Sequence, residues 1–347
     1  MALVGMYHYR KNPCKVGRAY RYAAIASLEG INFFYFTAKR VDFERKIIRG
    51  LYYENGEWKE KEFPFPDVII NTVGPITEFQ KEIYYKLKKM ISFTSYPVGT
   101  KLSVYKRIKK GNEFIDYLIP YKLIKKPIDV FEFLKRHPQV IIKPISGHHG
   151  KQVVFIRQEL DSFIIKESED TKTLSRIELY NYLIELLKDK KMLIQKYIAC
   201  TMDTGESFDI RLHLHKDENK KWQNTLIYPK IGFKNKIATN LGQGGKVAVL
   251  KTFLMNTYGN EYFDIMKYLE VFAKQFAEHF DNLYKHEFDE LGIDVGLDQD
   301  KKIWIYEVNW RPGHIFLEAK ASMYAMKYAA YLAIKHRGEK NEITVSE

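Results

Sequence analysis

Strand, helix and strand follow one another in the first 37 residues, and this order constrains the fold more than any other feature of the chain. The two predicted strands are rich in aromatic and β-branched residues, and the helix between them ends at Gly30, a residue type favoured just after a helix. These segments are residues 2–9, 16–28 and 31–37. A hairpin around Asn55-Gly56 and a short buried strand at residues 67–71 follow. The order predicts a small α/β domain with a largely parallel sheet.

The pattern changes after a helix-and-linker region at residues 75–127, where short strands begin to pair through predicted hairpins. The predicted strands are residues 139–143, 152–157, 162–166, 192–198, 208–215, 222–231, 246–250, 292–298 and 303–309. The predicted helices are residues 129–136 and 175–187, one around 258–286 and one near 315–335. Antiparallel hairpins with interspersed helices are typical of α+β units.

The composition excludes several classes of protein. With 347 residues, 46% of them hydrophobic, the chain can bury a core without disulfides, and Cys14 and Cys200 allow one bridge at most. The net charge of +13 favours anionic partners, although a lysine-rich surface explains it equally well. Nucleic acid is not an expected partner, because only charge supports it. No apolar stretch approaches the ~20 residues of a membrane span. The start lacks the apolar core of a signal peptide, so we expect a cytoplasmic protein with no membrane partner.

A lysine at the end of a predicted strand marks the first group of candidate site residues. Lys143 ends the strand 139–143 and precedes a small-residue loop, residues 146–151. Backbone N–H groups in such a loop can approach phosphate oxygens, and a lysine adds a positive charge. The loop is not a Walker loop, because Gln152 follows Lys151 where a Ser or Thr is required. A plain glycine turn between two strands is the alternative.

Acidic side chains alternate with apolar residues on the last two predicted strands. Glu307 and Asn309 share one face of their strand, because side chains on a strand point alternately to two faces. If a four-residue loop, residues 299–302, joins the strands, Asp294 lies directly opposite Glu307. Carboxylates about 5 Å apart repel unless a cation joins them, and Mg²⁺ prefers such oxygen ligands. The pattern predicts a Mg²⁺ site, with exposed acids at a strand end as the alternative.

Four polar residues alternate with apolar ones on the predicted strand 208–215 and share one face: Asp209, Arg211, His213 and His215. Arginine suits phosphate or carboxylate, and Asp209 could orient it. The histidines could bind a metal, but no third ligand follows at a suitable spacing, so we expect a hydrogen-bonded or surface pair. A loop rich in hydrogen-bond donors, residues 238–246, could clamp an anion or simply turn the chain.

Taken together, five short motifs resemble those of the ATP-grasp superfamily, and in detail its YheC/YheD-like branch, which is associated with endospore coats. They are Lys-Pro-x-x-Gly-x-x-Gly at residues 143–150, Phe-Asp-x-Arg at 208–211, Thr-Asn-x-x-x-Gly-Gly at 239–245, Gly-x-Asp-x-Gly-x-Asp at 292–298 and Trp-x-x-Glu-x-Asn-x-x-Pro-Gly at 304–313. Each motif is weak alone, but their order and separations match over roughly residues 95–315.

The resemblance implies an ATP-grasp fold, α/β plus α+β, in which a small α/β N-terminal domain precedes two α+β subdomains that hold a nucleotide between them. The implied divisions are residues 1–95 for the N-terminal domain, 96–194 for a linker helix with the central subdomain, and 195–347 for the C-terminal subdomain.

The resemblance also implies which residues form the site. The implied nucleotide-binding residues are Lys101, Lys143, Ser146, Gly147, Gly150, Gln195, Lys196, Tyr197, Ile198 and Asn240. Lys101 and Lys143 would contact phosphates, while the backbone of residues 195–198 would bind the adenine edge. Asp294, Glu307 and Asn309 would hold Mg²⁺. Arg211 and Arg311 would face the transferring phosphate or the acyl substrate.

The function implied by the resemblance is that of an ATP-dependent ligase with ATP and Mg²⁺ as cofactors. Such an enzyme activates a carboxylate as an acyl phosphate and joins it to an amine or thiol; the substrate would be a small-molecule or peptide carboxylate with an amine acceptor. The sequence contains no nucleophile elbow and no Cys–His motif, which agrees with chemistry by positioning and charge. The alternatives are an ATP-grasp kinase that phosphorylates a hydroxyl and a nucleotide-binding spore-coat scaffold without catalysis.

Overall fold

Three β-sheets form the framework of the chain. The computed structural model describes residues 1–146, 152–167, 170–234, 245–313 and 317–345. The first sheet contains β1 (Leu3–Tyr7), β2 (Asn32–Phe36), β3 (Val41–Asp42), β4 (Ile47–Glu54), β5 (Glu57–Pro64), β6 (Val68–Ile70) and β7 (Ser92–Phe93), and its helices are α1 (Gly17–Leu28) and α2 (Glu78–Met90).

The first sheet is parallel in one half and antiparallel in the other. Strand β1 pairs in parallel with β2 and β6, and β6 pairs in parallel with β7. Beyond β2, the antiparallel hairpin β4–β5 extends the sheet. Asn55 and Gly56 form its turn with φ values of 51° and 86°, the left-handed conformation that this pair favours. The predicted largely parallel sheet is therefore confirmed only for its β2-β1-β6-β7 half.

Helix α3 (Lys101–Gly111) leads into the second sheet, which is antiparallel throughout. Its elements are β8 (Tyr121–Leu123), α4 (Ile128–Leu134), β9 (Gln139–Pro144), β10 (Val154–Gln158), β11 (Phe163–Glu167), β12 (Asp170–Leu174), α5 (Arg176–Leu187) and β13 (Met192–Lys196). A capping box of Ser175 and Glu178 begins α5. Leu179 and Leu183, one turn apart on this helix, pack into the sheet's core.

The third sheet carries most of the candidate site residues. It contains β14 (Glu206–Lys216), β15 (Trp222–Lys234), β16 (Lys246–Val247), β17 (Glu290–Leu297) and β18 (Ile303–Asn309), in the order β16-β15-β14-β17-β18. Helices α6 (Leu250–Tyr258) and α7 (Tyr262–Asn282) cover one face. Phe272, Phe276 and Phe280 recur every four residues on α7 and fill this core, leaving the other face of β14 and β17 to polar side chains.

The last helix returns to the first sheet. Helix α8 (Glu318–Val345) places Ala325, Met326 and Ala329 in the same core as Val4 and Met6 of β1. It also packs against β14, and its Tyr328 donates a hydrogen bond to Glu287, which lies just before β17. Helix α8 therefore joins the first and third sheets. Among the described helices, none combines the length and apolar character needed to cross a membrane.

Candidate functional site

The two acidic residues predicted to face each other do so on neighbouring strands. In the register of β17 and β18, Asp294 lies opposite Glu307, and Gly292 lies opposite Asn309. All four positions belong to the polar face of the third sheet, because their spacing along each strand is two residues. The predicted pairing of Asp294 with Glu307 is confirmed.

The predicted four-residue loop between these strands is wrong by one residue. Leu297 pairs with Ile303, so residues 298–302 connect the strands, one residue more than the predicted 299–302. A β-bulge adds one residue to β18 opposite the step from Asp294 to Val295. This extra residue restores the expected pairing of Asp294 with Glu307. Tyr306 is the additional residue; its hydroxyl lies 3.1 Å from the Cys200 sulfur. The bulge, and not the turn, sets the position of Glu307.

Two cations on adjacent strands neutralise Asp294. Arg211, which lies opposite it on β14, donates through Nε and Nη2 to its two carboxylate oxygens at 2.6 and 2.9 Å. Lys230 on β15 lies 2.9 Å from the same carboxylate and 2.7 Å from Asp209. Burial acts to raise the pKa of Asp294, but Arg211 and Lys230 outweigh it and hold that pKa well below its usual range. Asp209 thus pairs with Lys230, and Asp294 takes the predicted role of orienting Arg211.

Lys230 is the site residue that the sequence reasoning missed. Burial opposes its charge, but Asp294 and Asp209 raise the pKa of Lys230 above its ordinary value, so the ammonium group stays charged. Lys230 lies directly opposite Asp209 in the β14–β15 register. The signal that could have found it is a lysine within the apolar run of residues 226–233 in β15, beside a strand of alternating polar residues.

The second acid and the amide oxygen of Asn309 complete the candidate metal site. The Lys101 ammonium group lies 3.1 Å from Glu307, at the start of α3 where Thr100 caps the helix. Asn309 Nδ2 lies 3.5 Å from an Asp294 oxygen. Two carboxylates and one amide on adjoining strands are the oxygen-donor set that Mg²⁺ takes in proteins. The residue types therefore fit a Mg²⁺ ion, and the predicted Mg²⁺ site stays a prediction.

A half-buried lysine of the second sheet, Lys143, interacts electrostatically with the acidic pair. Lys143 lies near the end of β9, and its ammonium group is 5.9 Å from the centre of the Tyr105 ring. Burial lowers the pKa of Lys143 to about 8, although Glu307 and Asp294 partly offset it. Ser146 follows Lys143 on the surface. Gly147, Gly150 and Asn240 lie outside the described residues, so their predicted contacts with nucleotide stay predictions.

The predicted adenine-binding segment connects the second and third sheets. The Gln195 side chain is buried and donates to the hydroxyl of Tyr105, which in turn donates to the carbonyl of Tyr306. The backbone N–H groups of Lys196 and Tyr197 bind the carbonyls of Pro120 and Gln139.

Beyond this strand, one backbone group stays available to a ligand. Within the described chain, the backbone N–H of Ile198 has no hydrogen-bond acceptor. The Lys196 ammonium group lies 5.8 Å above the ring of Trp304 on β18. The Gln195 side chain is already engaged, and the predicted contact of residues 195–198 with an adenine edge stays a prediction.

The second predicted substrate arginine lies toward the first sheet. Burial lowers the pKa of Arg311 to about 10, with Tyr84 and Asp289 opposing it. In the part of the chain that the structure describes, Nε and Nη2 of Arg311 are buried and have no hydrogen-bond partner. A guanidinium group with two such N–H groups presents the donor geometry that a carboxylate accepts.

The histidine pair on β14 has a third polar neighbour. His213 and His215 are buried, and Glu290 contacts both from the start of β17. The prediction of a hydrogen-bonded pair is confirmed, since His213 pairs with Glu290 and His215 with Thr225. Glu290 lies far away in sequence but directly opposite His215 in the sheet.

Comparison with known proteins gives the following similarities. A protein-family model described as YheC/D-like ATP-grasp matches residues 90–332. Endospore coat-associated protein YheD of Bacillus subtilis (strain 168) is 26% identical over 323 residues, covering 87% of this chain and 71% of YheD. Endospore coat-associated protein YheC of the same organism is 22% identical over 296 residues, covering 82% of this chain and 81% of YheC.

Solved structures resemble the chain over nearly its whole length. N5-carboxyaminoimidazole synthetase from Staphylococcus aureus, complexed with ADP, has a TM-score of 0.54 at 12% identity and covers 94% of this chain and 77% of its own. The D-alanine–D-alanine ligase from Coxiella burnetii has a TM-score of 0.53 at 10% identity. The match covers 100% of this chain and 99% of the ligase chain. At such identities the likeness shows the fold alone.

Proposed function

The chain belongs to the YheC/D-like ATP-grasp family, and we propose that it is an ATP-dependent, ADP-forming ligase that joins a carboxylate to an amine or a thiol. The observation that carries this proposal is the Asp294–Glu307 pair, which is surrounded by positively charged side chains of four different elements. These are Lys101, Lys143, Arg211 and Lys230. Paired acids for a divalent cation, together with cations for phosphate, are the groups that phosphoryl transfer requires.

The reaction divides into two steps. A substrate carboxylate oxygen attacks the γ-phosphorus of ATP, the bond from that phosphorus to the bridging β–γ oxygen breaks, and ADP leaves. The nucleophile then attacks the acyl carbon, the bond from carbon to the phosphate oxygen breaks, and the nucleophile loses a proton. Neither step needs a covalent bond to the protein, so the protein contributes position and charge.

The residues of the site have distinct roles in this proposal. Asp294, Glu307 and Asn309 would hold Mg²⁺, which when bound neutralises charge on the phosphate oxygens. Lys101 and Lys143 would bind the phosphate oxygens directly. Arg211 and Lys230 keep Asp294 ionised and oriented.

The substrate carboxylate has a separate candidate partner in Arg311. Its Nε and Nη2 groups are buried without a partner among the described residues, which favours a bidentate contact with a carboxylate. The net charge of +13 further favours an anionic substrate, such as an acidic peptide or a small carboxylic acid. The amine or thiol acceptor would approach the acyl carbon from the same side of the sheet.

Glu307→Gln tests the metal assignment. The substitution keeps the shape of the side chain but removes the charge that would bind Mg²⁺, so we expect ADP release to be abolished while the circular dichroism spectrum is unchanged. Glu278→Gln, the same change at an exposed position on α7, serves as the matched control and should retain full turnover. ADP release by Glu307→Gln at the level of the control would refute the assignment.

Hydroxylamine separates a ligase from a kinase. An acyl phosphate reacts with hydroxylamine to give a hydroxamate, whereas a phosphorylated hydroxyl does not. We therefore expect hydroxamate when the protein is incubated with ATP, Mg²⁺, hydroxylamine and a panel of carboxylic acids and acidic peptides. ADP release without hydroxamate across the panel would favour the kinase.

A second candidate function is that of a coat scaffold without catalysis. The names of YheD and YheC, both endospore coat-associated proteins, favour this alternative. Titration calorimetry with ATP and Mg²⁺ tests the ligase, because a ligase must bind the nucleotide, and ADP release separates it from a scaffold that binds nucleotide without catalysis. A flat titration, with the fold intact, would favour the scaffold.

A further inference from the structure

We propose that His213, His215 and Glu290 form a second metal site, separate from the acidic pair, that binds a divalent transition-metal ion with Zn²⁺ as its first candidate. The ligand atoms of these three residues lie within 4.8 Å of one another, and all three residues are buried. The proposal rests on residues that the ligase mechanism does not use.

The register of two strands brings the three side chains together. His213 and His215 share the polar face of β14, because they are two residues apart. Glu290 begins β17 and lies directly opposite His215. Its Oε1 is 2.7 Å from Nε2 of His213 and 3.2 Å from Nε2 of His215. Both imidazoles therefore direct the same ring nitrogen toward one carboxylate oxygen.

Two of the three separations can be compared with those of a metal-bound set. Zinc bonds of about 2.0 Å to nitrogen and oxygen at tetrahedral angles put neighbouring ligand atoms about 3.3 Å apart. The contact between His215 and Glu290, at 3.2 Å, already has that length, and the contact of His213, at 2.7 Å, needs to open by a few tenths of an ångström. Glu290 can open it by a small rotation about its own side-chain bonds.

A hydrogen bond on the far side of one imidazole fixes its orientation. Nδ1 of His215 lies 2.7 Å from the hydroxyl oxygen of Thr225, which is also buried. A proton on Nδ1, donated to Thr225, leaves the lone pair of Nε2 directed toward Glu290. Ligating histidines characteristically have such a partner on the second ring nitrogen, since it holds the ring and its tautomer in place.

The donor set distinguishes this site from the acidic pair. Two imidazole nitrogens with one carboxylate suit Zn²⁺ and related transition metals, whereas Mg²⁺ prefers oxygen ligands. Glu290 and Asp294 are four residues apart on β17, so the two sites are separated by about 13 Å along the strand. The proposed ion would cross-link β14 and β17, which carry Arg211 and Asp294. It would thereby stiffen the strand pair behind the nucleotide site.

The competing explanation is a histidine pair that shares a proton with Glu290. A buried carboxylate requires compensating positive charge. Arg311, which interacts electrostatically with Glu290, supplies part of it, and a protonated imidazole or a metal ion would add to it. The two explanations differ in one measurable respect, because only the proposed metal site binds a stoichiometric metal ion.

Metal titration of the full chain decides between them. The protein is purified, treated with a chelator, dialysed and titrated separately with Zn²⁺ and Co²⁺. We expect one tight Zn²⁺ site per chain by mass spectrometric metal analysis, a thermal midpoint that rises with Zn²⁺ concentration, and visible Co²⁺ absorption typical of low coordination number. No stoichiometric Zn²⁺ and no Co²⁺ band, in a protein with native circular dichroism, would overturn the proposal.

Three variants locate the ion. Glu290→Gln should lose the Co²⁺ band, and Thr225→Val, which keeps all three ligands, should weaken Zn²⁺ binding about 10- to 100-fold. His137→Gln changes a partly exposed histidine between α4 and β9, and this matched control should bind Zn²⁺ normally. Unchanged Zn²⁺ binding by Glu290→Gln would overturn the assignment, because the ion would then lie elsewhere. If Glu290→Gln does not fold, Thr225→Val and the titration of the unmodified chain still decide.

The Glu307→Gln variant separates this proposal from the proposed function. Zn²⁺ binding should be unchanged in that variant, since Glu307 is not a ligand of the second site, while turnover is lost. A loss of both Zn²⁺ binding and turnover in this variant would mean that both measurements report on one site. That result would overturn the proposal of a second metal site.

Discussion

The surroundings of Lys143 disfavour the charged form of its ammonium group. Its pKa is lowered to about 8 by burial, with only partial compensation from Glu307 and Asp294. The free ammonium group is therefore close to losing its proton at neutral pH, and a phosphate beside it would restore the preference for the charged form. The residue identity was predictable from the sequence, because Lys143 ends a strand. Its environment was not, since the acids that face it lie more than 150 residues later.

The pH dependence of nucleotide binding tests this role of Lys143. Because a lysine with a pKa of about 8 is mostly charged at pH 7 and mostly neutral at pH 9, we expect KM for ATP to rise about tenfold over that interval. Lys143→Arg, whose guanidinium group stays charged, should show a flat profile in steady-state kinetics. An equal rise in that variant would assign the titration to another group.

The same lowered pKa has a consequence for stability with a defined sign. Between pH 8 and the ordinary lysine value of 10.5, the unfolded chain holds the proton of Lys143 more firmly than the folded chain does. The contribution of Lys143 to the free energy of unfolding therefore rises with pH across this window.

At the scale of elements, the strongest local signals predicted structure well. The Asn55-Gly56 turn, helix α1 and the two strands around Asp294 and Glu307 were predicted because each has its own residue pattern. Strand β12 was not, because its side chains are almost all exposed at the sheet edge and leave no apolar alternation. The helix predicted around 258–286 corresponds to α7. The shorter helix α6, which precedes it and ends before Gly259 with its φ of 56°, was not predicted.

The bulge in β18 shows why local sequence patterns could not predict the full pairing register of β17 and β18. A bulge depends on which side chain packs beneath the extra residue, and here Tyr306 packs over Gly296 with Cys200 beside it. The predicted Asp294–Glu307 pair was correct although the predicted loop was not, since two differences of one residue cancelled.

Gly296→Ala tests whether this packing is required. An added Cβ would lie 2.3 Å from the Tyr306 hydroxyl and 2.7 Å from the Cys200 sulfur, so one of them must move. We expect a loss of about 1–3 kcal/mol in the free energy of unfolding, measured by denaturant titration. Gly17→Ala, in the first turn of α1 with only the end of Arg21 nearby, is the control and should be neutral or gain up to about 1 kcal/mol. Equal stability of both variants would contradict a tight fit around Tyr306.

At the scale of the whole molecule, the predicted ATP-grasp fold is confirmed by the family match and by the solved ligases that share the architecture. The division at residues 95 and 195 stays a proposal. The sequence could not predict the packing partner of α8, because the alanine-rich face of this helix does not indicate which sheet it packs against. Ala325, Ala329 and Ala333 recur every four residues and fit closely against α1 and β1, some 300 residues earlier in the chain.

This long-range packing makes α8 a structural link between the third sheet and the first sheet, and Ala329→Asp tests it. Ala329 is fully buried, so an aspartate there would be a charge without a partner, and we expect a loss of about 3–5 kcal/mol in the free energy of unfolding. Ile334→Asp makes the same charge change on the same helix, but Ile334 is 68% exposed and the expected loss is below about 0.5 kcal/mol. Denaturant unfolding monitored by circular dichroism measures both. If the two variants lost equal stability, burial of the alanine face could not be what holds α8 on the first sheet; if only Ala329→Asp unfolded early and also lost ATP binding, the first sheet would be coupled to the site through this helix.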